Sequence, residues 1–365
     1  MPVAVVTGCS SGLGALVLRQ LLHRLDPTSL PHLSHWTILA GTRSSARPAL
    51  PSSSTVDVEW IPLDLARVDS VRQFAETVKL RLADLPGPPH VDVVLLNAAT
   101  WNEHVKTVDV GEGESYAEEA FVNHFAQYHL VQLLEPLLAR PEPSTRSRII
   151  VTTSSLQNSV KSLDDLPNLL RPNASSSSTG KSRYAASKLA QTIAFHHLKR
   201  RWSDSGTPVE IVTVSPGFVP TTNLSRDSPW WARWLMRNVV YWLPFCSTEE
   251  KGAARILSCF PFLQPRLERN DDEPLRDDPT PADPSCSSTR PSRTFEEIVS
   301  ASLDGRSMIP YQLDPELGER GARTPHPELR QLFHDEQEGR SDEAVRRWKE
   351  LGGLVAPPLS ETSKW

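Results

Sequence analysis

The sequence predicts an α/β fold in which a doubly wound, Rossmann-type parallel sheet is covered by helices on both faces. Short, almost continuously apolar runs alternate with longer runs whose apolar residues recur at helical intervals. Nearly continuous apolar strands are typical of a parallel sheet that is buried on both faces. In addition, a glycine-rich turn joins the first apolar run to a helical run, as in strand-loop-helix units that bind phosphate.

Composition excludes several classes of function. The chain has 365 residues, with 39 Lys and Arg against 44 Asp and Glu, so it does not suggest a nucleic-acid surface. The four cysteines show no Cys-x-x-Cys spacing: Cys9, Cys246, Cys259 and Cys286. This spacing argues against a zinc module or a disulfide framework and predicts free thiols, no metal site and a reducing compartment.

The N-terminal run Val3–Val6 lacks the positively charged start of a secretory signal and is interpreted as a buried strand. No run reaches the roughly 20 apolar residues that a membrane-spanning helix needs. We therefore expect a cytoplasmic protein, with peripheral contact to an intracellular membrane as an open alternative.

The turn after the first strand has the spacing Gly-x-x-x-Gly-x-Gly over Thr7–Gly14, and the helical run Ala15–Leu22 follows it. Glycines let the backbone approach a pyrophosphate, and the positive N-terminus of the helix faces the anion. A plain glycine-rich turn is the alternative. The cofactor-binding residues predicted here are Gly8, Ser10, Ser11, Gly12, Leu13 and Gly14.

The second and third strands are predicted at Trp36–Arg43 and Val56–Leu65. An acidic residue at the end of the second strand would favour NAD, whereas an arginine suits the 2′-phosphate of NADP. The chain offers Arg43 there and no carboxylate, which favours NADP, unless Arg43 only opens a polar loop. The third strand ends in Asp64.

A helix at Val68–Leu82 and a fourth strand at Val91–Leu96 follow, and the strand leads into Asn97. In open parallel sheets, ligands bind beyond the carboxyl ends of the strands. We therefore expect four polar or glycine positions to meet at one edge of the sheet: Gly8, Arg43, Asp64 and Asn97.

The next helix, near Glu118–Leu138, carries Asn123 in its interior, although asparagine has poor helix propensity. Asn123 is either polar surface or is retained for a purpose. The fifth strand, Arg148–Thr152, runs into Ser154 and Ser155 at its carboxyl end.

Tyr184 and Lys188 are four residues apart in a run with helical periodicity, so both lie on one face of a helix. An ammonium beside a phenol favours the phenolate and lowers its pKa from about 10. Alone, this spacing is typical of a solvated helix face. A sixth strand, Val209–Val214, follows and ends in Ser215–Thr222.

Taken in order from Val3 to about Leu257, these motifs resemble those of the short-chain dehydrogenase/reductase family. The resemblance rests on the glycine loop, on Asn97-Ala98-Ala99, on Asn123, on a serine after the fifth strand, on Tyr184 and Lys188, and on Pro216-Gly217 through Thr221. Ala99 replaces the family's usual glycine. Catalytic Ser154 is preferred to Ser155 from the strand count, whereas the Ser-Ser-apolar pattern favours Ser155.

The resemblance implies a mechanism in which Tyr184 donates a proton to a substrate carbonyl while NADPH delivers hydride. It implies that Lys188 lowers the tyrosine pKa and binds the ribose, that the serine hydrogen-bonds the carbonyl oxygen, and that Asn123 holds a water relay. It also implies that a segment closes over the nicotinamide, with Pro216, Val219 and Thr221 binding the cofactor.

Substrate choice is expected in the Trp-rich segment Trp230–Phe245, which the resemblance places over the substrate as a lid at about residues 225–246. An aromatic core helix and a membrane-surface helix are the alternatives. Together with Leu163–Leu166 and Met308–Tyr311, this segment is similar to the 3-keto sterol reductase branch; retinol dehydrogenases and protochlorophyllide reductases share some of these features.

We expect one cofactor-binding domain over 1–264, a disordered insert over 265–294, and an extension over 295–365 packing on the same domain. The predicted function is NADPH-dependent reduction, or the reverse oxidation, of a bulky apolar ketone or alcohol, such as a 3-keto sterol of lipid or steroid metabolism. The alternatives are a tailoring ketoreductase of specialised metabolism and a catalytically silent NADP-binding scaffold. No nucleic-acid partner is expected, and a homo-oligomer is left open.

Overall fold

The computed structural model describes residues 1–25, 35–43, 47–111, 114–138, 146–172, 177–217, 219, 247–260 and 350. Within these residues, apolar runs form strands and amphipathic runs form helices, in alternation along the chain. The strands are β1 Val3–Thr7, β2 Trp36–Thr42, β3 Val56–Pro62, β4 Val93–Leu96, β5 Thr107–Gly111, β6 Glu114–Ala117, β7 Ser147–Thr152 and β8 Val209–Val214.

The helices surround these strands. They are α1 Gly12–Arg24, α2 Val68–Ala83, α3 Glu118–Ala120, α4 Ala126–Leu134, α5 Leu166–Leu170, α6 Gly180–Asp204 and α7 Glu249–Leu257. A π-helical turn, Phe121–Phe125, joins α3 to α4, and 3₁₀ turns lie at Glu135–Leu137, Ser155–Ser159 and Leu163–Asp165.

Six of the described strands form one parallel sheet in the order β3-β2-β1-β4-β7-β8. The order reverses between β1 and β4, which creates the crevice in which doubly wound sheets bind ligands. The predicted fold class and all six predicted strands are confirmed. The bounds differ slightly, because β3 ends at Pro62 and β4 begins only at Val93.

Two apolar layers cover the faces of the sheet. One layer packs α2, α4 and α6 against it, with fully buried Phe74, Phe121 and Phe195. The other packs α1 and α7 against it, with Leu18 and Phe260. Burial on both faces is the reason that the strands are almost continuously apolar.

A two-stranded antiparallel hairpin, β5-β6, lies outside the main sheet and was not predicted. It is fastened to the π-helical turn, since the Tyr116 ring packs 4.5 Å from the Phe125 ring. Arg171 stacks over Tyr116 and pairs with Glu114, two residues earlier on the same strand. In the chain, the hairpin lies between β4 and α3.

The predicted domain bounds remain predictions, because the segments 265–294 and 295–365 lie outside the described residues apart from Glu350. None of the helices in the described ranges combines the length and the apolar run that crossing a bilayer requires.

Candidate active site

The glycine-rich loop turns sharply between β1 and α1. Gly8 and Gly12 have φ angles of +69° and +55°, in the left-handed region that favours glycine. A Cβ atom on Gly14 would lie 2.1 Å from the carbonyl oxygen of Gly8. The loop therefore folds back on the start of α1, as a phosphate-binding turn requires.

A cavity of about 400 Å³ opens at the N-terminus of α1, and its lining includes Ser10, Ser11, Gly12, Arg19 and Arg47. The Ser11 side chain does not cap the helix, so the N–H groups of the first turn remain for a ligand. A positive helix end with two arginines beside it fits the phosphates of a dinucleotide. By contrast, Leu13 is buried on the other side of α1.

Asn97 ties this loop to the centre of the sheet. Its Nδ2 donates to the carbonyl oxygen of Gly8 at 3.1 Å, and its Oδ1 accepts from Thr152 Oγ1 at 3.5 Å. Its backbone N–H donates to Thr7 Oγ1 at 3.1 Å. Asn97 thus ties the carboxyl ends of β1, β4 and β7 together.

Arg43 and Asp64 lie at the same edge of the sheet, on the side of β2 and β3. Arg43 follows β2 directly and is exposed. Asp64 lies two residues after β3 and accepts a hydrogen bond from the backbone of Ala66 at 3.1 Å. Asp64 therefore shapes the turn into α2, and both side chains lie at the carboxyl ends where they were predicted.

Tyr184 is 5% exposed on the first half of α6. Burial raises the pKa of its phenol to about 12, and a hydrogen bond with Ser154 opposes this rise. Ser154 also accepts from the N–H of Leu156 and so caps the 3₁₀ turn that Ser155 begins. The contact with the phenol is made by Ser154, which supports the choice of this serine.

Lys188 is 1% exposed, one helical turn from Tyr184. Its Nζ donates to the carbonyl oxygen of Thr152 at 2.8 Å and to Gln191 Oε1 at 3.0 Å. Burial lowers the pKa of Lys188 to about 7. Burial is also the largest cause of the raised pKa of the Tyr184 phenol, so the lowering by Lys188 that the resemblance implies is not observed here and remains a prediction.

Asn123 lies in the π-helical turn and is completely buried. Its Oδ1 accepts from the N–H of Thr100 at 2.7 Å, and its Nδ2 donates to the Thr100 carbonyl and to Ser187 Oγ. The side chain therefore connects the segment after β4 to the catalytic helix. Its role in a water relay remains a prediction.

After β8, the carbonyl oxygen of Pro216 accepts from Arg255 Nη1 at 2.9 Å, which holds the chain against α7. Val219 is buried near Gly252 of the same helix. Thr221 and the Trp-rich segment Trp230–Phe245 lie outside the described residues. Their predicted contacts with cofactor and substrate remain predictions.

Three features of the site were missed in the sequence. The Trp101 ring stacks on the Tyr184 ring, with centroids 5.0 Å apart. Arg183 and Glu119 form a fully buried ion pair directly before Tyr184. Gln191 accepts from Lys188. For Arg183 and Gln191 the sequence signal was a charged or amide residue beside the Tyr184 and Lys188 pair, whereas Trp101 carried no such signal.

Together these residues place a phenol, a serine hydroxyl and a lysine ammonium at the carboxyl ends of β4 and β7. The phosphate-binding cavity lies at the same edge of the sheet, at the end of β1. Such an arrangement can bind a dinucleotide. It can also transfer a proton to or from the oxygen of a carbonyl or alcohol bound beside the phenol.

Comparison with known proteins gave several relatives, although no family model matches the chain. A short-chain dehydrogenase/reductase of Pestalotiopsis microspora is 30% identical over 70% of this chain and 81% of its own length. The dehydrogenase/reductase SDR family member FEY of Arabidopsis thaliana is 31% identical over 77% of this chain and 72% of its own. Human polyprenol dehydrogenase is 29% identical over 73% of this chain and 74% of its own.

Proposed function

Because the chain belongs to the short-chain dehydrogenase/reductase family and is an oxidoreductase acting on CH–OH groups with a nicotinamide cofactor, we propose that it is an NADPH-dependent reductase of a bulky apolar ketone. The reverse reaction is oxidation of the corresponding alcohol. The observation that carries this proposal is the hydrogen bond between Ser154 and the buried phenol of Tyr184, on the helix that also bears Lys188.

The residues of the chain divide the proton chemistry between them. When bound, the nicotinamide supplies or accepts the hydride. The neutral phenol of Tyr184, whose pKa is raised by burial, gives its proton to the carbonyl oxygen. Ser154 holds that oxygen by a hydrogen bond. A protonated Lys188 in the same buried region stabilises the phenolate that remains.

Preference for NADPH is supported by the basic groups near the dinucleotide site. Arg43 stands exposed at the end of β2, where an acidic residue would favour NAD. Arg19 and Arg47 line the cavity at the start of α1. A guanidinium can bind a 2′-phosphate through two parallel hydrogen bonds, which is the reason for favouring the phosphorylated cofactor.

A bulky apolar substrate is supported by one relative, since polyprenol dehydrogenase is named for its action on a polyprenol. A 3-keto sterol is our first choice within this class, because the Trp-rich segment is similar in sequence to that branch. A place in lipid or steroid metabolism, with peripheral contact to an intracellular membrane through Trp230–Phe245, would follow from such a substrate.

Turnover by the full-length chain tests the proposal. NADPH and NADH oxidation are followed with 3-keto sterols, retinal and aromatic ketones, and the reverse reaction with sterols and polyprenol. We expect the wild type to reduce at least one apolar ketone with NADPH, and Tyr184→Phe to lose about 10²–10⁴-fold in kcat.

Tyr128→Phe is the matched control, because Tyr128 is also buried but lies on α4, where its ring packs on Phe195. It should retain turnover. Cofactor binding without turnover of any carbonyl or alcohol would favour the silent scaffold, and activity retained in Tyr184→Phe would remove Tyr184 from the mechanism. Activity on aromatic ketones but not on sterols would favour a tailoring ketoreductase.

A further inference from the structure

The indole of Trp101 covers one face of the Tyr184 phenol. The ring centroids are 5.0 Å apart and the planes meet at 26°, so the rings are stacked. Trp101 itself keeps part of its surface exposed, whereas Tyr184 is 5% exposed. The indole therefore shields one face of the phenol while part of its own surface still reaches solvent.

The backbone beside Trp101 is fixed to the catalytic helix. Arg183 Nη2 donates to the carbonyl oxygen of Asn102 at 2.7 Å, and the N–H of Asn102 donates to Glu119 Oε1 at 3.1 Å. Arg183 and Glu119 are fully buried and 3.3 Å apart. Because Arg183 directly precedes Tyr184, one network holds both ends of the stack.

Gly180 allows the indole to reach this position. A Cβ atom on Gly180 would lie 2.3 Å from the Asn102 carbonyl oxygen and 3.0 Å from Trp101 Nε1. The Trp101 Nε1–H is buried without a hydrogen-bond partner among the described residues. Packing, rather than a polar contact, therefore sets the place of the ring.

We propose that Trp101 is a specificity-determining residue, which forms the wall of the ketone site beside Tyr184 and selects carbonyls on flat, fused-ring skeletons over open-chain ones. This inference rests on the proposed function and narrows its substrate class. A rigid indole surface offers stacking and close contact to a planar ring system at little entropic cost, whereas a flexible chain must be ordered to use it.

The test compares two carbonyl substrates in full-length wild type, Trp101→Leu and Trp101→Phe. A 3-keto steroid represents the fused rings and farnesal, an open-chain isoprenoid aldehyde, represents the flexible class. For Trp101→Leu we expect the ratio of kcat/KM values, steroid over farnesal, to fall about two- to tenfold. The change should lie mainly in KM for the steroid, and Trp101→Phe should restore most of the ratio.

Two further variants keep the result interpretable. Gly180→Ala pushes the Asn102 segment and the indole away from α6 without altering Trp101, so it should also lower the steroid-to-farnesal ratio. If Trp101→Leu does not fold, this variant tests the role of Trp101 in its place. Trp60→Leu, on the edge strand β3, controls for loss of a tryptophan and should leave the ratio unchanged.

An unchanged ratio in Trp101→Leu would overturn the inference. If that variant does not fold, an unchanged ratio in Gly180→Ala would do so. A loss of kcat of equal size for both substrates would overturn it as well. Neither result would affect the proposed function, which instead fails if the wild type turns over no carbonyl with NADPH. Selectivity and activity thus fail separately.

Discussion

Lys188 Nζ lies 2.8 Å from the carbonyl oxygen of Thr152 and donates a hydrogen bond to it. This contact joins the catalytic helix α6 to the end of β7, two residues before Ser154. Gln191 Oε1 accepts a second hydrogen bond from the same Nζ, at 3.0 Å. Both acceptors are neutral, so burial alone governs the charge of the lysine in the cofactor-free protein, and its pKa falls to about 7.

Replacement of Lys188 should change how the free energy of unfolding depends on pH. Since the folded pKa is about 7 and the ordinary value is 10.5, the unfolded chain binds one more proton between these values. The free energy of unfolding of the wild type, relative to Lys188→Met, should therefore rise with pH by up to about 1.4 kcal/mol per unit.

Urea denaturation of the cofactor-free protein between pH 6 and 9.5 measures this difference. The range ends below the ordinary tyrosine pKa of 10.0, above which the unfolded chain would lose the Tyr184 proton while the buried phenol keeps it. A difference that does not change with pH would mean that Lys188 keeps its proton in the folded protein.

Ser154→Ala and Ser155→Ala should have unequal effects on turnover. Ser154 bonds the phenol of Tyr184, and removal of one such hydrogen-bond donor commonly costs about 10²–10³-fold in kcat. Ser154→Ala should also cost about 0.5–2 kcal/mol of stability through the lost cap on Leu156. Ser155→Ala should keep kcat within a few-fold of the wild type. Steady-state rates and thermal unfolding of both variants decide this, and equal losses of kcat would contradict the assignment.

The parts of the fold that the sequence could predict are those where one signal dominates. Strands such as β1, β4 and β7 are buried on both faces, so most of their residues are apolar whatever the details of packing. The hairpin β5-β6 was missed because its strands are short and polar, and its stability depends on Tyr116 and Arg171 reaching each other across 55 residues. The π-helical turn was missed because Phe121–Phe125 has the same apolar periodicity as an α-helix.

In the site, backbone-determined features were predictable and packing-determined ones were not. The glycine loop and the spacing of Tyr184 and Lys188 follow from local geometry alone. The stack of Trp101 on Tyr184 depends on how closely Asn102 approaches Gly180, a distance that no local pattern encodes. The direction of the phenol pKa likewise depends on burial of the ring, which no local pattern encodes.

Replacing Glu119 and replacing Arg183 should lower the free energy of unfolding by different amounts. Glu119→Gln leaves a guanidinium that cannot lose its proton in a fully buried place, and should cost about 3–5 kcal/mol of unfolding free energy. Arg183→Met should cost less, because burial already raises the pKa of Glu119 and a proton can neutralise it.

Urea denaturation measures both variants. The control is Glu76→Gln, which breaks an exposed pair with Lys79 and should change stability by less than about 1 kcal/mol. An Arg183→Met variant less stable than Glu119→Gln would contradict the proposed asymmetry.

Arg43→Ala should reduce the preference for NADPH over NADH. The guanidinium at the end of β2 is exposed and therefore free to be recruited by a 2′-phosphate at little desolvation cost. A hydrogen bond to a charged group is worth about 1.5–3 kcal/mol, so the ratio of KM values should shift by about 10- to 100-fold, with kcat little changed.

Arg146→Ala is the control, because Arg146 is exposed at the opposite end of the sheet, directly before β7. If Arg43→Ala left the ratio unaltered, then Arg19 and Arg47 would be the groups to replace next, because both line the cavity at the N-terminus of α1.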